Sequence, residues 1–285
     1  MSNAATQHDG RPIDQMLQLG VGPMHLRRHG AVGAPLAIGV PGLSANSFSF
    51  DALGEALALA GRCLVAVDLR GRGRSPAGPP GSHGWDNHAR DVLAIADARG
   101  ARHFDFIGHS MGAFVGLALA NLAPDRLRRL VLVDAVGVPD PRAMPPIVSA
   151  VSGLHTVHAS VDAFLARVAA GGVVPWGPFW EAHYREDLVE VAGGVAQRAH
   201  LATVLEDVAY AAGTQVRELW PGVGVPTLLV RAGVPLAPGG DVITEADRDA
   251  FLRTVTTARS VEIAANHYGV MNHERTARAV GEFLQ

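Results

Sequence analysis

The stretch that decides the fold is Phe104-Asp105-Phe106-Ile107-Gly108-His109-Ser110-Met111-Gly112-Ala113-Phe114-Val115. Its first half is apolar and reads as a strand over 103–108. Its second half reads as a helix over 111–122. Between them, Ser110 has a glycine two residues before it and another two residues after it. A turn that passes directly from strand to helix around a serine bends the backbone sharply and leaves no room for side chains at those two places. The spacing predicts that the turn lifts the Ser110 hydroxyl above a sheet edge as a nucleophile. It also sets the Met111 N–H at a helix N-terminus, where it can donate to a developing oxyanion.

Outward from this turn, short apolar runs alternate with helical patterns. Strands are expected at 35–40, 63–68, 103–108 and 129–134, with helices at 48–60, 87–99 and 111–122 between them. The rhythm stops from 135 to 221, where helical patterns such as 161–170 and 186–209 dominate. It resumes with a strand at 227–231, a helix at 245–255 capped by Thr244, a strand at 260–264 and a helix at 274–284. Continuous apolar strands alternating with helices indicate an α/β protein with a mostly parallel central sheet flanked by helices. A break of that length exceeds an ordinary crossover. The expected organisation is therefore a core of residues 1–134 and 222–285 with a helical cap insertion at 135–221.

On these residues the chain resembles the α/β-hydrolase family, over nearly its whole length. The run Val67-Asp68-Leu69-Arg70-Gly71-Arg72-Gly73-Arg74-Ser75 is similar to the loop after that family's fourth strand; by itself it reads as a structural turn with three exposed arginines. Pro41-Gly42-Leu43-Ser44 occupies the place of the family's His-Gly loop, with Pro41 where histidine is usual. The resemblance implies that the Leu43 N–H completes an oxyanion hole with Met111. It also implies that His267, between the last strand and the last helix, is the catalytic base. For the acid that orients His267, the resemblance points to Asp241, the first acid after the strand at 227–231. Asp134, at the end of the strand at 129–134, is the alternative. His109, Trp176, Phe179 and Trp180 are candidate substrate-pocket residues, with core packing as the competing role for the aromatics.

Composition narrows the chemistry. All 24 basic side chains other than histidine are Arg; without Lys there is no Schiff base, pyridoxal-phosphate lysine or P-loop. The single cysteine, Cys63, sits in an apolar run and reads as a buried strand residue. His155 and His158 lack further ligands, so no metal site is expected. The net charge is −3, with no basic stripe, which argues against nucleic acid and anionic membrane as partners. With no apolar stretch of membrane-spanning length and no signal core, a soluble cytoplasmic protein is expected, monomer or homodimer.

The expected activity is that of a cofactor-free, metal-free serine hydrolase. It would cleave a small, mainly apolar carboxylic ester or lactone through an acyl-enzyme. A carbon–carbon bond hydrolase acting next to a ketone and a slow-turnover ligand receptor on the same fold are the alternatives. Apolar substrate is expected because the segment from Pro139 to Trp220 holds nine Asp or Glu against five Arg.

Overall fold

The computed structural model describes residues 11–285. Ten strands are described: β1 (Ile13–Leu19), β2 (Gly22–His29), β3 (Leu36–Val40), β4 (Cys63–Val67), β5 (Phe104–His109), β6 (Leu127–Val133), β7 (Leu188–Val191), β8 (Gly194–Gln197), β9 (Thr227–Ala232) and β10 (Ala258–Ile263). Eight form one sheet in the order β1-β2-β4-β3-β5-β6-β9-β10. From β4 to β10 every pairing is parallel, while β1 and β2 join as an antiparallel hairpin. The sequence reading missed that hairpin, because β1 lies at the sheet edge with most of its residues exposed and so lacks the apolar run that marks the inner strands.

Helices cover both faces, and the strand period of two sorts the side chains between them. Ile38, Val65, Phe106, Leu130 and Leu229 pack on one side with Trp85 and Val92 of α2 (Trp85–Ala98), Val115 of α3 (Met111–Leu122) and Phe251 of α8 (Glu245–Thr254). Their chain neighbours Ala37, Leu64, Ile107, Val131 and Leu228 face the other way. There they meet Leu53 and Leu57 of α1 (Asp51–Leu59) and Val280 of α9 (Glu274–Phe283). Burial on both faces is why these strands read as unbroken apolar runs. Thr244 caps α8 as expected, accepting from the Asp247 N–H at 3.1 Å.

Between β6 and β9 the chain passes through α4 (Met144–Gly153), α5 (Val161–Ala170), α6 (Pro178–Glu186), the β7–β8 ribbon and α7 (Leu201–Ala212). The helix expected over 186–209 is thus corrected. Leu188 to Gln197 form an antiparallel two-stranded ribbon, and only the last part is α7. The β-branched Val189, Val191 and Val195 flanking the Ala192-Gly193 turn favour the ribbon.

The Arg70-Gly71-Arg72-Gly73-Arg74 loop is corrected as well. Arg70 and Arg72 are buried. Arg70 pairs with Asp91 of α2 at 2.7 Å, and Arg72 with Asp207 of α7 at 2.5 Å. Arg74 reaches Asp14 at 2.9 Å and Glu186 at 2.7 Å. The loop ties the insert to the sheet. Cys63 is buried in β4, and burial raises its thiol pKa. No helix among the described residues is long and apolar enough to cross a membrane; the start of the N-terminal segment, where no signal core was read, lies outside the described residues.

Candidate active site

The order β4-β3-β5-β6 reverses direction between β3 and β5, and at such a switch point the loops leaving the strand ends splay apart to open a crevice. The turn after β5 sits there. Ser110 has φ 55° and ψ −122°, a strained conformation held by the bonds around it. Its N–H donates to the Val133 carbonyl at 2.9 Å. The flanking glycines are sterically required. A Cβ on Gly108 would lie 2.1 Å from the Gly112 carbonyl oxygen, and one on Gly112 would lie 2.0 Å from the Val40 carbonyl oxygen.

Ser110 Oγ stands 3.1 Å from His267 Nε2. On the other side of the ring, His267 Nδ1 donates to Asp134 Oδ2 at 2.8 Å, and Asp134 Oδ1 accepts from the Ala232 N–H at 2.9 Å. Asp134 is 1% exposed. Both of its bonds are therefore made away from bulk solvent.

Asp241 does not meet His267. Its carboxylate lies 3.2 Å from Arg231 Nη2 and is one-third exposed. The sheet order explains the correction. Asp134 leaves β6 beside the β5 turn, whereas the β9 loop holds no acid from Gly233 to Gly240, and Asp241 has come far enough along the chain to be captured by Arg231.

The His267 loop is braced on two sides. Asn266 Oδ1 accepts the N–H groups of Tyr268 and Gly269 at 3.2 and 2.9 Å, and its Nδ2 donates to the Val173 carbonyl at 2.7 Å. His109 Nε2–H donates to the His267 carbonyl at 3.0 Å, with the two rings 4.7 Å apart. Full burial, reinforced by nearby His267, pushes His109 well below the ordinary imidazole range, so it is a neutral brace. Gly42 packs against the serine: a Cβ there would lie 3.2 Å from Ser110 Cβ. Among the described residues the Leu43 N–H meets no protein acceptor, and the Met111 N–H, at the first position of α3, has no acceptor within the helix.

Above these residues lies a cavity of about 310 Å³, within the range of small-molecule sites. Ile147 and Val151 of α4, Val168 of α5 and Trp180 of α6 give it an apolar wall. Of the expected pocket residues, His109 and Trp180 line it. Trp176 and Phe179 do not: Trp176 packs with Phe164 and Leu165 within the insert, and Phe179 sets its ring edge-to-face on Trp180, 5.2 Å away. Of the scattered arginines of the insert, Arg142 pairs with Asp140, Arg185 with Glu181, and Arg198 donates to the Glu186 carbonyl. Arg167 alone among these four lines the cavity.

Sequence reasoning missed Asp187, His183 and Tyr268 on the cavity wall. Nothing in Glu186-Asp187 distinguishes a buried acid from a solvated one at a helix end. Burial moves the His183 imidazole down to about 4, only partly offset by Asp51 and Asp68, so it is neutral. No cluster of three or more potential metal ligands occurs among the described residues; His155 follows α4 and His158 bridges to Val195.

A family model described as the alpha/beta hydrolase fold matches residues 38–190. The protein named carbamate hydrolase RutD in Agrobacterium fabrum is 30% identical over 210 residues, covering 73% of this chain and 78% of that protein. N-formylmaleamate deformylase of Pseudomonas putida is 38% identical over 122 residues, covering 42% of this chain and 45% of that enzyme. The RutD protein of Variovorax paradoxus is 36% identical over 41% of this chain, so the chain spans less than half the length of these last two relatives. Among solved structures, E-2-(acetamidomethylene)succinate hydrolase superposes with a TM-score of 0.84 at 21% identity, over 96% of this chain and 99% of that one.

Proposed function

The chain belongs to the α/β-hydrolase family, and from that premise we propose that it is a hydrolase in which Ser110, His267 and Asp134 form the catalytic triad of an acyl-transfer enzyme. One observation carries the reading: the hydrogen-bonded row from Ser110 Oγ through His267 to buried Asp134, at the floor of a cavity large enough for a small molecule. His267 Nε2 takes the Ser110 proton as Oγ attacks the substrate carbonyl. Asp134 holds the ring in the tautomer that leaves Nε2 free to accept, and stabilises the imidazolium that forms. The N–H groups of Leu43 and Met111 receive the oxyanion. His267 returns the proton to the leaving group, and water then cleaves the acyl-Ser110 ester by the same route.

The substrate is a small, mainly apolar molecule with an ester or lactone carbonyl. Burial of its apolar surface against Ile147, Val151 and Trp180 contributes binding at about 25 cal/mol per Å². An acyl bond to nitrogen is the second reading. The relatives named for carbamate hydrolysis and deformylation favour it, and the same triad protonates a nitrogen leaving group.

The test is steady-state hydrolysis of matched p-nitrophenyl esters and anilides by the wild type and Ser110→Ala. Sustained turnover that Ser110→Ala abolishes supports the enzyme; a single burst without cycling indicates a receptor. A carboxylate-bearing acyl series tests the apolar pocket. Higher kcat/KM for the anionic members, lost in Arg167→Ala, would replace it with an anion site.

A further inference from the structure

Seven acidic side chains are buried among the described residues: Asp68, Asp91, Asp105, Asp134, Asp187, Asp207 and Asp247. Six of them meet a histidine or an arginine: Asp68 with His25, Asp91 with Arg70, Asp105 with Arg62, Asp134 with His267, Asp207 with Arg72 and Asp247 with Arg217. Asp187 is the exception, and it lies on the wall of the cavity that holds Ser110. It is 2% exposed at the end of α6. Oδ1 accepts from Asn46 Nδ2 at 3.0 Å and Oδ2 from Gln197 Nε2 at 2.9 Å. Asn46 is fixed as the donor here, because its own Oδ1 accepts from the Phe48 N–H at 3.0 Å.

Two neutral amides fill about half of a carboxylate's accepting positions and supply no charge. An unpaired buried carboxylate is costly. Burial raises its pKa to about 7, with the amide bonds and Arg198 opposing and Asp68 adding to the rise. His183 beside it on the cavity wall is neutral and offers no cation. The acid is nevertheless held from two sides, by the loop after β3 and by β8, in a fixed orientation. The same wall carries a second unmatched group: Trp180 Nε1–H, which can only donate, is buried without an acceptor.

We propose that Asp187 is the acceptor of a second substrate subsite, which recognises a nitrogen that donates hydrogen bonds, such as a carboxamide, carried by the substrate away from its scissile carbonyl. The subsite rests on the reading of Ser110 as the nucleophile. A ligand N–H occupies the accepting positions that the protein leaves open. A group of the same shape without that proton leaves the buried acid unmatched, which is the circumstance in which polar sites discriminate most strongly.

The experiment uses two aryl esters whose acyl chains end in a primary carboxamide or in the methyl ketone of the same shape. Both keep the terminal carbonyl; only NH2 and CH3 differ. In the wild type, kcat/KM is expected to favour the carboxamide at least tenfold. In Asp187→Leu, which removes the acid without stranding a charge, and in Asp187→Ala, the ratio falls towards one, with folding checked by circular dichroism. A wild-type ratio near one overturns the subsite, as does a ratio that survives in either folded variant. If neither variant folds, the wild-type ratio decides alone. Turnover of a plain short-chain ester is measured in parallel: its absence from the wild type removes the serine hydrolase reading, whereas its presence without carboxamide preference removes only the subsite.

Discussion

Asp134 and His267 are 133 residues apart in the chain, and their side chains meet at 2.8 Å. That contact makes Asp134→Asn the most informative single substitution. The asparagine can present its N–H to His267 and select the wrong tautomer, so kcat should fall by about 10⁴-fold with the fold retained. Asp241→Asn, whose carboxylate pairs with Arg231 and not with His267, should leave kcat within about threefold of wild type, since that contact is partly exposed. Steady-state kinetics on one ester with all three proteins checks the ranking.

Ser110 should be the sole covalent nucleophile. An organophosphonate should add one adduct, mapped to Ser110 by peptide mass spectrometry and absent from Ser110→Ala. Adduct formation should slow in Asp134→Asn, because attack on phosphorus also requires His267 to accept the proton. An adduct of equal yield in Ser110→Ala would assign the nucleophile elsewhere.

Gly112→Ala tests the turn sterically. Its Cβ would stand 2.0 Å from the Val40 carbonyl oxygen, and backbone cannot yield as a flexible side chain can. Destabilisation at the upper end of about 1–3 kcal/mol, or failure to fold, is expected. Gly281→Ala, on α9 with open space around the new methyl, should be neutral or slightly stabilising. Thermal denaturation of the two variants reads the difference.

Asp207 anchors α7 to the loop after β4. Burial opposes its charge, but the His88 hydrogen bond and the Arg72 guanidinium outweigh it and hold the acid at about 2, below its ordinary 3.8. A depressed folded-state pKa means that the contribution to stability is complete above the unfolded value and is lost as pH falls from about 4 through 2. Asp207→Asn strands Arg72, which is fully buried, and should cost about 3–5 kcal/mol at neutral pH. Urea denaturation across pH 2–7 should show a flatter acid limb in the variant; an unchanged limb would give Asp207 no part in acid unfolding.

What the sequence by itself determined was local. The Gly108-to-Gly112 spacing, the apolar strand runs and the position of His267 before the last helix are legible because each depends on a few neighbouring residues and a backbone period. The β7–β8 ribbon and the edge strand β1 were harder to read, since short or exposed strands carry weak patterns. Tertiary structure alone decided the partners. Asp134 meets His267 because β6 lies beside β5 in the sheet, while Asp241 is captured by Arg231. Arg70 and Arg72, which look like solvated loop charges, are buried on Asp91 and Asp207. Trp180 faces the cavity while Trp176 packs away from it, and among the described residues Asp187 is enclosed without an ion-pair contact. A charge or a ring has the same chemistry wherever it sits in the sequence; its role follows from what lies within about 4 Å after folding, and most of those neighbours come from distant parts of the chain.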